Sequence, residues 1–388
     1  MSEITIKELA RICGVAVSTV SRAMNDRSDV NPATRARIVA AAQAHGYVPN
    51  SMARRLKIGS SDTIAVFIQG EFGQMLMEIF ERLEVELGKR GFDTTIAHIS
   101  EQQHDHASAV ERVVRGGRFA GVVFLGRYGS ADREASAQLS RRLAEIDVPM
   151  VFCTTSDYSG VEVQRSWVSV DDASGARDLT AHLIARGHRR IGFIGAGRER
   201  DHEHAWALRL SGYGAALRDA EIESDDSLIV ESVIESQVYT MRNGYESLRR
   251  WLRRDPDSAR GVTAFVAACD AVAIGAARAL DEAGLSVPGD VSLVGFDGLD
   301  VAEYSRPRLT TLEQPIEAIA QTTARLLVET IRSPRRHVEQ VWIRGRLIER
   351  ESVRTIDDDV QATLSASVGS SGEIARSKSG DAANTTSA

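Results

Sequence analysis

The chain has 388 residues, 43% of them hydrophobic and 26% charged, which is enough for two or three compact units and too mixed for a fibrous or low-complexity protein. Its net charge of −7 hides an asymmetry: residues 1–60 carry nine Lys or Arg against four acids, a head at +5 on a body at −12, so nucleic acid is expected at one end only. Cys13, Cys153 and Cys269 are isolated and odd in number, without a CxxC spacing, which argues against a disulfide framework or zinc site and favours a reducing compartment.

The opening MSEITIKELA has neither a basic leader nor an apolar core, so no signal peptide is expected and the cytoplasm is the default. Apolar residues then fall at helical spacing in three groups: Ile6, Leu9, Ala10 and Ile12; Val17, Val20 and Met24; Ile38, Val39 and Ala42. Gly14-Val15 breaks the first two, and Pro32 fits the first turn of the third. From Thr63 onward, strand-like runs (IAVFI, TTIAHI, AGVVFL, PMVFC, RRIGFIG, TAFVAAC, VSLVGF) alternate with amphipathic stretches closed by glycine (KRG, ARG, EAG). That alternation predicts parallel, doubly wound sheets, and its length predicts two α/β lobes. The longest apolar run, GVTAFVAACDAVAIGAARAL, contains Asp270 and Arg278 and reads as strand plus helix, not as a membrane span. Residues 356–388, rich in Ser, Ala, Thr and Gly, read as a tail that cannot bury enough surface to order itself.

TIKELARICGVAVSTVSRAMN places two helices about a glycine turn, the arrangement of a helix-turn-helix. Burying Val20 and Met24 leaves Val17, Ser18, Ser21, Arg22 and Asn25 on or near the opposite face. An arginine among small residues can approach a base edge and fork guanine O6 and N7, and Val17 can touch a thymine methyl. Thr5, Thr19, Ser21, Asn25 and Thr34 suit phosphates. The plainer reading of Arg22 is a solvated surface charge.

Through Gly59 this segment resembles, nearly position for position, the DNA-binding head of the lactose-repressor (LacI/GalR-type) family of transcriptional regulators. The resemblance continues through VSVDDASGARDLTAHLIARGHRRIGFIG, RLSGY, ALDEAGLSVPGDVSLVGFD and PRLTTLEQP, over about 350 residues. It implies an all-α helix-turn-helix head (1–47), a hinge helix and linker (48–59), and a periplasmic-binding-protein-like body (60–355) of two lobes. Those lobes are placed roughly at 60–160 with 290–322 and at 161–289 with 323–355. It also implies a homodimer on double-stranded operator DNA. In the hinge VPNSMARRLK, Asn50 and Arg54 match phosphate-side positions and Leu56 matches the family's minor-groove wedge, linker packing being its alternative. Ala16 departs from the family's usual Ser, which removes a cap and puts one phosphate contact in doubt.

The resemblance implies a small-molecule effector, a sugar or sugar derivative, between the lobes. Arg209 and Asp270 match effector positions, and Trp206 is either a ring platform or core. Asp171 and Asp297 match recurrent acids that also read as strand-end caps. Where the family often shows Asp-x-x-Asn-Pro-Phe-Phe this chain has GEFGQML, so Phe72 is the remaining candidate for an aromatic shelf, and Cys269 stands where Asn is usual. GFIGAGRER lacks the third glycine of a dinucleotide loop, having Arg200 there, and His202 and His204 in DHEH do not share a helix face, so neither a cofactor nor a metal is expected. No nucleophile-base set is visible, and His188 reads as a helix-end residue. The expectation is a cytoplasmic, nucleoid-associated repressor that is not an enzyme. The alternatives are a solute-binding protein or cleft enzyme with a helical appendage, or an activator answering a non-sugar ligand.

Overall fold

The computed structural model describes residues 4–24, 30–45, 47, 62–69, 72–99, 106–116, 119–126, 133–155, 165–197, 205–234, 237–254, 259–333 and 338–356. The chain divides into two units, residues 1–61 and 62–388. In the first, α1 (Ile6–Cys13), α2 (Val17–Met24) and α3 (Pro32–Ala44) form the expected three helices. A capping box starts α1: Thr5 Oγ1 accepts from the Glu8 N–H at 3.3 Å, and the Glu8 carboxylate accepts from the Thr5 N–H at 2.8 Å. Gly14 ends it at φ 62, a left-handed conformation that lets the chain turn into α2 within three residues. The Asn31 side chain caps α3, with Pro32 in its first turn.

Leu9, Val20 and Ile38, one from each helix, are fully buried and surrounded by Ala10, Cys13, Ala23, Val30 and Ala42. Truncating any of the three to Ala removes apolar surface from so small a core at a cost of about 2–5 kcal/mol. Two details differ from the spacing. Ile12 is 46% exposed because Leu9 and Cys13, four residues apart, carry the inner stripe of α1. In α2 the inner partner of Val20 is Ala23, with Met24 only half-buried.

The second unit holds two six-stranded sheets. The first contains β1 (Thr63–Gln69), β2 (Asp93–Ile99), β3 (Gly121–Leu125), β4 (Met150–Cys153), β5 (Ser166–Val170) and β11 (Gln340–Ile343), all parallel, in the order β2-β1-β3-β4-β5-β11. The second contains β6 (Ile191–Ala196), β7 (Ile229–Glu231), β8 (Ala264–Ala267), β9 (Ser292–Asp297), β10 (Thr310–Glu313) and β12 (Arg346–Ile348), in the order β7-β6-β8-β9-β10-β12, with β12 antiparallel. Helices cover both faces of each. On the first sheet α4 (Gln74–Gly88) and α12 (Ile316–Arg332) lie opposite α5 (His106–Gly116) and α6 (Arg133–Ala144). On the second, α7 (Asp172–Ala185) and α8 (Ala205–Asp219) lie opposite α9 (Met241–Arg254) and α10 (Asp270–Glu282), and a short α11 (Asp300–Tyr304) follows β9. The runs read as continuous because each strand is buried on both sides: in β1, Ile64, Val66 and Ile68 enter one core, Ala65 and Phe67 the other.

Sheet membership corrects the expected lobe boundaries. β5 joins the first sheet, β9 and β10 join the second, and α12 with β11 returns to the first. The chain crosses between lobes after β5, after β10 and between β11 and β12, and an apolar run does not state which sheet will receive it. The body also extends to Ile356, assigned above to the tail: it is 7% exposed and its N–H donates to the Arg186 carbonyl at 2.8 Å. The hinge, with Asn50, Arg54 and Leu56, and Asn25, Arg200, His202 and His204 lie outside the described residues.

Candidate DNA-reading face and effector site

On the first unit, Val17, Ser18 and Arg22 are exposed on α2, opposite buried Val20 and Ala23. Three helices therefore hold one arginine, one hydroxyl and one apolar group on a single outward face, the arrangement expected of a groove-entering helix. Thr19, Ser21 and Thr34 are half-buried at its margins. The Thr5 hydroxyl is committed inside the molecule, accepting from the Glu8 N–H and donating to the Glu8 carboxylate at 2.9 Å. Ala16 gives α2 only its backbone carbonyl, which accepts from Val20 at 3.1 Å, and no side-chain cap.

The second candidate lies in the second lobe. Its strand order turns back between β6 and β8, and a ligand crevice in such a sheet opens beyond the carboxyl ends of the strands at that point. Arg209 reaches it from α8, with Nη1 donating to the Ala268 carbonyl just past β8 at 2.5 Å and Nε donating to Asp172 at 2.7 Å. Asp297 Oδ1 is 3.7 Å from Nη1, and the guanidinium lies 3.7 Å from the Phe296 ring centroid. Gly212 makes this possible: a Cβ there would stand 2.0 Å from the Ala173 carbonyl oxygen, so only glycine lets α8 press against α7 and bring Arg209 to Asp172.

Two carboxylates, Asp172 and Asp297, flank this guanidinium, and Asp297 in turn acts on a third, Asp270. Asp172 and Asp270 open α7 and α10, where the amino-terminal dipole favours negative charge, and Asp297 ends β9 at φ 122, an unusual left-handed conformation for a side chain other than glycine. Burial pushes all three above the usual carboxylate range; Arg209 opposes this at Asp172 and Asp297, while Asp297 raises Asp270 further. Burial also works against the charge on Arg209, but Asp172 and Asp297 outweigh it and hold it protonated. The Gln314 side chain, immediately after β10, donates to Asp297 at 2.7 Å.

Arg209 lies in this cluster among neighbours that the sequence only partly indicated. Asp270, expected to take ligand hydroxyls, is fully buried and accepts from the Gly298 and Leu299 N–H groups at 2.8 and 2.9 Å and from the Thr311 hydroxyl at 2.5 Å. Its carboxylate braces β9 and β10. Trp206 is 3% exposed and packs in the core of this lobe. Phe72 is half-buried in the first lobe, edge-on to Phe80 with ring centroids 6.3 Å apart. Asp171 is the cap it was expected to be, accepting from the Ser174 N–H at 3.0 Å. Asp172, Gln314 and Tyr239, whose hydroxyl accepts from the Trp206 N–H at 3.1 Å, were missed. The doubled acid in VDD and the glutamine before Pro315 were the available signals. Cys269 caps α10 in place of the usual Asn, its sulfur accepting from the Val272 N–H at 3.5 Å. Among the described residues no His, Cys, Asp and Glu group is placed to hold a metal, and no helix is long and apolar enough to cross a membrane.

Residues 5–50 match the model of bacterial regulatory proteins of the lacI family, and residues 180–353 match a periplasmic binding protein-like domain. The transcriptional regulator CelR of Thermobifida fusca is 33% identical over 359 residues, covering 90% of this chain and 98% of CelR. The chain belongs to the lacI family. MalR of Clostridium butyricum is 31% identical over 349 residues, covering 89% and 98% of the two chains. Among solved structures, a CelR–cellobiose complex is 32% identical with a TM-score of 0.65, covering 90% of this chain and 100% of that one. The Lac repressor dimer bound to operator and the anti-inducer ONPF is 23% identical with a TM-score of 0.75, covering 91% and 100%, and supports the fold. This family member is a DNA-binding transcriptional regulator under small-molecule control, and its family is one of regulators rather than enzymes.

Proposed function

We propose that the protein is a cytoplasmic, nucleoid-associated repressor that binds a near-palindromic operator as a homodimer and responds to an unmodified sugar. The observation that carries the DNA reading is the outward face of α2, where Val17, Ser18 and Arg22 stand clear of a packed three-helix core. Arg22 takes a guanine in the major groove, Val17 and Ser18 contact neighbouring base edges, and Thr19, Ser21, Asn25 and Thr34 hold phosphates, with Thr5 at the edge of that set. Asn50 and Arg54 hold the backbone beside the minor groove while Leu56 opens a base step. Two heads on one dimer read two half-sites.

Arg209, Asp297 and Gln314 are the effector-facing set, and Asp172 and Asp270 fix their positions. Trp206 and Phe72 shape the walls. CelR, crystallised with cellobiose, supports a sugar as the effector. Sugar binding changes the arrangement of the two lobes, which weakens the operator-bound state by a coupling of about 1–3 kcal/mol.

The test begins with operator selection from random duplexes using the full-length protein, followed by titration at fixed salt. Leu56→Ala is expected to weaken the selected operator at least about tenfold, because an intercalated wedge offsets the cost of unstacking. Cellobiose, maltose or galactose is expected to release the wild-type complex. Recovery of no preferred duplex would end the regulator's operator model, and release by none of the sugars would end the sugar assignment.

A further inference from the structure

Two arginines are buried among the described residues, and their charges are met differently. Arg209, at 4% exposure, has Asp172 and Asp297 beside it. Arg165, at 8%, has no carboxylate within ion-pair reach among the described residues. It stands immediately before β5, in the first lobe. Its Nη2 donates to the Ser140 carbonyl on α6 at 2.8 Å, and its guanidinium lies over the Phe152 ring on β4, 5.5 Å from the centroid. Its Nη1 is buried and donates to nothing.

A carbonyl and a ring face attract a cation, but neither cancels its charge. Lysine or histidine in such a place can shed a proton; a guanidinium cannot. The surroundings screen it poorly, because Ser140 and Phe152 are fully buried and Phe124 and Phe67 are stacked in turn beyond Phe152, with ring centroids 4.9 and 5.3 Å apart. A buried cation without a counter-charge is strongly destabilising, and an orphaned donor adds to that cost. Both deficits are met by one partner, an acceptor carrying negative charge at Nη1.

We infer that Arg165 is the centre of an anion site in the first lobe, separate from the Arg209 cluster of the second lobe, and that its ligand is a single monovalent halide, chloride or bromide. Charge balance selects the valence: one guanidinium neutralises one negative charge, and a doubly charged sulfate or phosphate would leave a buried negative charge of its own. Access selects the size. Nη1 is closed to solvent, so the ion enters only with a local shift of side chains, which favours a compact sphere over a polyatomic anion.

The experiment compares thermal melting of the full-length protein in sodium chloride, sodium bromide and sodium gluconate at equal ionic strength, for the wild type and Arg165→Met. The wild type is expected to melt about 2–4 °C higher in either halide than in gluconate, measured relative to the variant. In gluconate Arg165→Met is expected to be at least as stable as the wild type, since it removes a buried charge that nothing there balances. Crystals of the wild type grown in bromide are expected to show an anomalous peak at hydrogen-bond distance from Nη1, a readout that stands even if the variant does not fold. A halide advantage that persists in Arg165→Met, one that is missing from the wild type, or bromide peaks only elsewhere each overturns the inference. The chain itself offers a rival counter-charge in Asp157 and Glu162, shortly before Arg165 in sequence. If Asp157→Asn or Glu162→Gln lowers wild-type melting equally in all three salts and no halide effect is seen, the partner is that carboxylate and the inference is overturned.

Discussion

Arg22 is exposed at the end of a short helix whose opposite side is fully buried, so its removal should leave the head folded and change only what the head reads. Arg22→Ala is expected to cost about 1–3 kcal/mol on the preferred operator and to flatten base preference at one position of each half-site, checked by repeating the duplex selection. An unchanged base profile would return this residue to a solvated surface charge. His188 makes a different kind of prediction. It is fully buried just beyond α7, with Nδ1 2.9 Å from the Thr263 hydroxyl and Nε2 3.1 Å from the Arg354 carbonyl, so the neutral ring donates from Nε2 and accepts at Nδ1. Burial pushes it down to about 4 from the ordinary 6.5. Between those values the unfolded chain binds a proton that the folded chain refuses, so stability from this residue is complete above about pH 6.5 and falls as the pH drops toward 4, by up to about 1.4 kcal/mol per unit. Urea midpoints at pH 7 and pH 5 should separate more for the wild type than for His188→Gln. This residue was read from sequence as a helix-end group. Its actual partners, 75 and 166 positions away, are set by tertiary folding and leave no trace in ARGHRR.

At the scale of elements, the sequence marked helix ends well because the chemistry of ends is local. Gly91, Gly187 and Gly284 all stand at positive φ after their helices, and Thr5 and Asn31 cap theirs. Seven apolar runs became β1, β2, β3, β4, β6, β8 and β9, whereas β7 and β12, at three residues each, carry too few positions for a pattern. The start of α2 is where the local chemistry is weakest. Ala16→Ser should supply the missing acceptor and raise the stability of the head by about 0.5–2 kcal/mol, read as a higher melting temperature. The α7–α8 contact is less forgiving. In Gly212→Ala the added methyl meets backbone rather than a movable side chain, so the helices must separate and Arg209 leaves Asp172. A loss of about 1–3 kcal/mol is expected together with loss of sugar response, and a variant with wild-type melting and response would refute the role given to this glycine.

For the whole molecule, the two-lobe class and the acidic body were legible, but the pairing of segments into lobes was not, because three crossings interleave them. The candidate effector cluster shares that fate: Asp172, Arg209, Asp270, Asp297 and Gln314 come from five separate elements or loops, and only Arg209 and the acids at strand ends could be suspected in advance. The last described segment closes the second lobe. β12 pairs with β10; the Ser352 hydroxyl accepts from the Thr310 N–H at 2.8 Å and donates to the Leu293 carbonyl at 2.6 Å; and Arg354 supplies the carbonyl that meets His188. A chain ended at Gly345 is therefore expected to lose cooperative melting of the body while its first three helices remain folded, resolved by amide exchange across both units.

That strap also orders events on the ribosome. The head has all its core residues within the first 42 positions and can fold as soon as it emerges, whereas the second lobe waits for residues that arrive more than 300 positions later. During that interval a nascent chain owns a finished DNA-reading helix and an unfinished receptor. Control by the small molecule therefore becomes available only after Arg354 has been made.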